Sequence, residues 1–415
     1  MTRRLVILAN AFPYGTWEPF LMTELQYLKG FDEINIMSLS VRPEQEKTRR
    51  ELPDGPFTVD LIRFRSKAFY IANAWRALMD GRFRGELRNL LKTGRMSLRN
   101  LVTLFVFFSR AHHEASEIRR ALRSRGASKT DRITFYSYRL FYQPYMVYLL
   151  RRSFPGAVSV ARAHGADLYE EHSPTKYLPL REFTVSSLDR IWCIADHGRD
   201  YLLRMVPAAA RNTVVSRLGT IDHGLCAQAP APSPLRIVTC SSLSPLKRVH
   251  LLVDALSRIE VPVRWDHYGE GALQDSIRAR AASSLGPNID YKFHGFIPND
   301  QVVRRYVDDP VHLLVNVSES EGVPVSIMEA LSTGTPVLAT DVGGTGEIVD
   351  DSANGWLLPP DVTPDSLARR LEMLSSFEAQ EWNALRARAR ESWEALANAD
   401  TCYGAFAEDL DEAAR

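Results

Sequence analysis

The feature that most constrains this chain is an alternation that runs twice. Short apolar runs at residues 5–9, 34–39, 133–137, 158–162 and 191–195 are separated by stretches with helical spacing, among them 20–28 and 145–151. Strands that alternate with helices predict a parallel α/β sheet. The Pro/Ala stretch at 227–234 has no periodic apolar face and reads as a linker. The pattern then restarts at 235–240, 263–268, 289–294, 311–317, 337–340 and 355–358. Two Rossmann-like parallel-sheet domains facing a cleft are expected: residues 1–226 and 235–380, followed by a helical stretch over 381–415. In open sheets of this kind, ligands bind beyond the carboxyl ends of the strands. No internal repeat of 20–50 residues is present.

Composition narrows the function. The 415 residues fit two or three domains. A net charge of +1 gives no sign of a nucleic-acid partner. Cys193, Cys226, Cys240 and Cys402 are too scattered for a zinc site or a disulfide framework, so reduced thiols in a cytoplasm are expected. The run after Arg3-Arg4 reads as a first strand rather than a signal peptide, and the longest apolar run, 101–108, is far short of the roughly 20 residues a spanning helix needs. Charge is uneven. Residues 61–126 hold fifteen basic and four acidic side chains, a surplus of +11, interleaved with Phe69, Tyr70, Trp75, Phe83, Phe105, Phe107 and Phe108 at helical spacing. Such a segment is either a solvated basic face over core aromatics or a surface for an anionic membrane.

Three stretches carry candidate chemistry. The first is Ser320-Glu321-Gly322-Val323-Pro324 and the run through Glu329-Ala330, placed after a strand and opening a helix. Gly322 permits close backbone approach, and free N–H groups at a helix start attract phosphate. Glu321 in the loop and Glu329 two turns on can face one ligand and accept hydrogen bonds from hydroxyls; a solvated acidic helix start is the plainer alternative. The second is residues 237–248, where a strand leads into a polar loop ending in Lys247-Arg248. Lys247 is either a surface lysine or a cation that stabilises a departing diphosphate. The third is Arg162-Ala163-His164-Gly165-Ala166-Asp167 at a strand end. A lone His is more often structural, and Asp167 reads as a cap. Gly15 in the turn after strand one, Gly269 and Gly295 are, taken alone, turns.

Residues 320–360 together resemble the Glu-x7-Glu region of glycosyltransferase family 4, the group 1 glycosyl transferases: retaining enzymes of GT-B fold. The quoted stretch continues through Leu331-Ser332-Thr333-Gly334-Thr335-Pro336, Gly343-Gly344-Thr345-Gly346-Glu347 and Asn354-Gly355-Trp356. The resemblance implies that Glu329 binds the donor ribose, that Glu321 contacts donor-sugar hydroxyls and that Lys247 holds the diphosphate. It places His164 near donor sugar and acceptor. It puts Gly15, Ser242, Arg248, Gly269, Gly295, Gly322 and Val323 in the nucleotide-sugar site. The chain departs from the family at two points. Ser242 stands where the family has Arg, and Arg248 replaces the glycine after the lysine, so one cation is lost unless Arg248 compensates. By the same analogy the last helices return to the N-terminal domain.

The only Asp-x-Asp, Asp409–Asp411, lies in the acidic tail rather than beside a core strand, so neither a metal nor another cofactor is expected. The expected activity is transfer of a hexose-type sugar from a UDP- or GDP-linked donor to a glycan or lipid-linked acceptor in bacterial polysaccharide synthesis, at the cytoplasmic face of a membrane. The alternatives are a nucleotide-sugar epimerase, which would need further acid and base carboxylates, and a non-catalytic partner of another transferase.

Overall fold

The computed structural model describes residues 2–73, 75–225 and 233–415. Cys226 and residues 227–232 of the expected linker lie outside the described residues. The chain divides into two compact units. The first holds Met1–Ser216 and Tyr403–Arg415, the second Arg217–Cys402.

The first unit is built on seven strands: β1 Arg3–Ala9, β2 Glu33–Val41, β3 Phe57–Arg63, β4 Arg132–Ser137, β5 Val158–Ala163, β6 Arg190–Cys193 and β7 Thr213–Val215. Their order is β3-β2-β1-β4-β5-β6-β7 and every pair is parallel. Leu5 to Ala9 are all fully buried, as expected where helices cover both faces of a central strand. The longest helix, Leu98–Ser124, starts at the cap Ser97, whose side chain accepts the Asn100 N–H at 3.1 Å. Leu104, Phe107, Phe108, Ala111, Ala115, Ile118 and Leu122 recur every three or four residues and pack beneath the sheet. The aromatics of the basic segment are therefore in good part core.

The second unit has six parallel strands: β8 Leu235–Cys240, β9 Val263–Tyr268, β10 Ile289–Phe293, β11 Leu313–Asn316, β12 Val337–Thr340 and β13 Gly355–Leu358, ordered β10-β9-β8-β11-β12-β13. The division falls at Arg217 because the next residues are tied to the second unit. Arg217 pairs with Glu347 at 3.0 Å, and Thr220 accepts from the Trp393 indole at 2.7 Å. Of the stretch 381–415, the helix Ala379–Leu396 stays with the second unit, anchored by Trp382 and Leu385. Only Tyr403–Arg415 groups with the first. There Phe406 and Leu410 pack among Leu5, Ile7, Tyr136 and Trp192, and Asp409 accepts from the Trp192 indole at 2.7 Å.

Candidate active site

In the second unit, β8 and β11 are neighbours, so the loops leaving their carboxyl ends run side by side. This is why Lys247 and Glu321 meet. The Lys247 ammonium donates to Glu321 Oε1 at 2.6 Å, and Asn316 Nδ2 donates to the same oxygen at 3.2 Å. Asn316 Oδ1 also accepts the Ser318 N–H at 3.0 Å, which fixes the loop carrying Glu321.

Arg248 holds the two loops together. Its Nε donates to the Val317 carbonyl at 2.7 Å, Nη2 to Ser318 at 3.1 Å and Nη1 to Pro360 at 2.9 Å. Its backbone is left-handed, φ 47°, a conformation that glycine adopts at no steric cost. Of the two alternatives left open at Ser242, compensation by Arg248 or weaker phosphate contacts, this placement bears on the first: the guanidinium is bonded to three backbone carbonyls. Ser242 itself is exposed, with its hydroxyl 3.3 Å from that of Ser244.

Glu329 lies on the helix Val325–Ser332 and is only 6% exposed. The Asn299 side-chain amide donates to it. Burial raises its carboxyl to about 7 from the ordinary 4.5, and the Asn299 bond offsets only part of that. The carboxylate therefore sits poised between charge states at neutral pH.

Glycines let the remaining loops close on this cluster. Gly269 has φ 129°, and a Cβ there would lie 2.0 Å from the Ser241 carbonyl oxygen. Its N–H donates to the Gly295 carbonyl at 2.9 Å, which joins the loops after β8, β9 and β10. Gly343 has φ 57°, and a Cβ would lie 1.8 Å from the Glu321 carbonyl oxygen. Next to it, the Gly344 N–H donates to the Gly322 carbonyl at 2.9 Å. Val323 is buried behind them. Lys247, Arg248, Glu321 and Gly322 are thus brought together directly. Ser242, Gly269 and Gly295 form the neighbouring loop set.

Two expected residues lie in the first unit. His164 follows β5, 7% exposed, with its ring 4.9 Å from that of Tyr138. Among the described residues neither ring nitrogen has a hydrogen-bond partner, and the Asp167 carboxylate is 3.7 Å from Nδ1. Burial, aided by the charge of Arg139, lowers His164 to about 4, so the ring is neutral at pH 7. Asp167 does not cap the turn that follows it: its carboxylate faces back, accepting the N–H of His164 at 3.0 Å and of Leu140 at 2.7 Å. Gly15 is less available than its motif suggests. Its N–H donates to Thr48, at 3.1 Å to the carbonyl and 3.0 Å to the hydroxyl. The preceding amides of Asn10, Ala11 and Phe12 all donate to the buried Glu18 carboxylate, at 3.0, 3.1 and 3.2 Å. The chain's own anion fills this loop.

Asn299, Asn316, Gly343 and Glu18 were not among the expected residues. Gly343 lies inside the motif that resembles the family; Asn316 and Glu18 act on residues at most eight positions away, and only Asn299 depends on a distant contact, with Glu329. The carboxylates of the Asp-x-Asp are engaged: Asp409 with Arg190 and Asp411 with Arg3 and Arg415. Among the described residues no helix is long and apolar enough to cross a membrane.

Parts of this chain are similar to known proteins. Residues 228–392 match the family of glycosyl transferases group 1, a span that contains Lys247, Glu321 and Glu329. The putative colanic acid biosynthesis glycosyltransferase WcaL of Escherichia coli is 28% identical over 241 residues, covering 56% of this chain and 58% of that one. The amylovoran biosynthesis glycosyltransferase AmsK of Erwinia amylovora is 26% identical over 267 residues, 60% of this chain and 63% of that one. The chain thus spans about three fifths of the length of these relatives. The Anabaena Alr3699/HepE structure in complex with UDP and glucose superposes with a TM-score of 0.66 at 16% identity, covering 99% of this chain and 100% of that one. At that identity the likeness establishes the fold: two Rossmann-like parallel-sheet domains of GT-B type.

Proposed function

We propose that the protein is a retaining glycosyltransferase that moves a hexose-type sugar from a UDP- or GDP-linked donor to a hydroxyl of a glycan or lipid-linked acceptor. Its setting is the synthesis of a bacterial polysaccharide. The observation that carries this reading is the pairing of Lys247 with Glu321 at 2.6 Å, within the stretch that matches the group 1 glycosyl transferases. The relatives named for colanic acid and amylovoran biosynthesis supply the polysaccharide context.

The chemistry follows from charge. As the anomeric C–O bond breaks, positive charge grows on the sugar and negative charge on the leaving phosphate. Lys247 has three donors, of which Glu321 takes one, and the others are free to turn to the phosphate. The acceptor hydroxyl attacks from the face the phosphate leaves, and its proton passes to a phosphate oxygen. No protein base is then required. Glu329, when ionised, accepts from the ribose hydroxyls. The neutral His164 of the first unit can accept a hydrogen bond from a hydroxyl without carrying a positive charge. The engagement of Asp409 and Asp411 in structural ion pairs supports a metal-independent route in which Lys247 and backbone amides carry the diphosphate.

Arg248 favours one other reading. Its guanidinium is bonded to three backbone carbonyls, and a non-catalytic partner of another transferase is the rival reading. Thermal unfolding with UDP, GDP, ADP and TDP, each with and without EDTA, separates the two. A nucleotide at 100 times its Kd adds about 2.7 kcal/mol. Stabilisation by UDP or GDP, unchanged by EDTA, is the expected result. No shift with any nucleotide would sink the donor-binding reading.

A further inference from the structure

We infer that the first unit binds an anionic membrane surface through the outward face of the helix Gly81–Lys92 and the short helix Trp75–Leu78 before it. The argument rests on what the structure does with the charges of the basic segment. All four of its acids are used inside the protein. Asp80 accepts from Arg82 N, and its other oxygen meets His112 and Tyr145; Glu86 accepts from Tyr177 at 2.8 Å; Glu114 pairs with Arg110; Glu117 pairs with Arg120. Several of its bases are used as well. Arg82 lies 3.4 Å above the Phe183 ring, and Arg95 pairs with Glu170. What is left on the surface is one-signed. Arg84, Arg88, Lys92 and Arg99 are exposed and make no ion pair among the described residues.

Arg84, Arg88 and Lys92 follow at intervals of four and share one face of their helix, while Phe83 and Leu90 bury the other. Leu91, 61% exposed, sits within the cationic face. Directly before the helix, Trp75 (55%), Leu78 (55%) and Met79 (75%) are exposed, and Leu98 (78%) follows it. Of these side chains only Trp75 offers a ring on which a base stacks; Leu78, Met79, Leu91 and Leu98 offer a nucleic acid nothing. A bilayer accepts both parts: apolar groups enter the headgroup boundary and cations meet anionic lipid. This inference needs no assumption about catalysis. If it holds, the transferase works on acceptors held at that surface.

The test is co-sedimentation of the full chain with phosphatidylcholine vesicles, with and without 30% phosphatidylglycerol. The parent should bind only the anionic vesicles, and salt should weaken the binding. Each cation near such a surface contributes a factor of about five, so Arg84→Gln/Arg88→Gln/Lys92→Gln should lower the partition coefficient roughly 100-fold. Trp75→Ser/Met79→Ser, which leaves the charge unchanged, should lower it at least tenfold. Circular dichroism confirms that each variant is folded. Failure of the parent to bind, equal binding to neutral vesicles, or unchanged binding by the triple variant would overturn the inference. A failed nucleotide test with intact vesicle binding would remove the enzymatic reading and leave this one standing.

Discussion

Glu329→Gln tests the site most directly, because stability and binding should move in opposite directions. Glu329 is almost fully buried, and its carboxyl is raised to about 7 from 4.5. The folded protein therefore holds a proton that the unfolded chain has released. Between pH 4.5 and about 7 the folded state binds more protons, so stability falls as pH rises through that window, and the loss is complete above it. At ~1.4 kcal/mol per pH unit, the cost at pH 8 is about 3 kcal/mol. Glutamine keeps an oxygen for Asn299 and has no charge to bury. The variant should be about 3 kcal/mol more stable than the parent at pH 8 and within about 1 kcal/mol of it at pH 5. For a unit of this size that is roughly 6–12 °C in Tm at the higher pH. In return its nucleotide stabilisation should fall, since a neutral amide oxygen accepts from ribose hydroxyls more weakly than a carboxylate does. The parent's nucleotide affinity should rise between pH 6 and 8, and the variant's should not. The assay is thermal unfolding across pH, with and without nucleotide. Parallel pH profiles for parent and variant would refute the burial argument, and equal nucleotide shifts would refute the ribose contact.

Other expectations follow from single contacts. Arg248→Gly relieves a left-handed backbone worth about 1–2 kcal/mol but removes three hydrogen bonds from a charged donor, so a net loss of about 2–4 kcal/mol in urea unfolding is expected. A variant as stable as the parent would show that the clamp contributes nothing. Gly343→Ala places a Cβ against the Glu321 carbonyl; it should cost more than about 2 kcal/mol and weaken nucleotide stabilisation, whereas Gly85→Ala, with open space around it, should do neither. His164 is lowered from 6.5 to about 4, so the unfolded chain binds the extra proton first, and stability should fall as pH drops from 6.5 toward 4. His164→Asn should flatten that acid limb by about 3 kcal/mol, and NMR titration of the parent should show no protonation of this ring above pH 5.

The two strands that the alternation did not reveal are instructive. β3 and β7 lie at the two edges of the first sheet. β3 is half-buried along most of its length and carries Asp60, which pairs with Arg125, and β7 is three residues long. An edge strand has one neighbour and one solvated side, so it lacks the continuous apolar run that marks a strand covered on all sides. Central strands such as β1 and β8 were legible for the opposite reason.

The site divides along the same line. Glu321, Glu329, Lys247 and His164 were expected at the site from the family resemblance of the local motifs that hold them, where residue type and spacing alone left plainer alternatives open. Their states could not be read that way. That Lys247 is paired with Glu321, 74 residues away, follows from β8 lying beside β11. That Arg248 clamps carbonyls about 70 and 112 residues away and that Asn299 reaches Glu329 follow from the same kind of juxtaposition. The basic segment shows it most plainly. Its surplus of +11 is countable in the sequence, but which charges remain on the surface is decided by where four acids turn. Local pattern determines which residues are able to form a strand, a cap or a phosphate-binding loop, since those depend on neighbours a few positions away. Strand order alone brings together groups dozens of residues apart, and pKa, pairing and exposure are properties of those meetings.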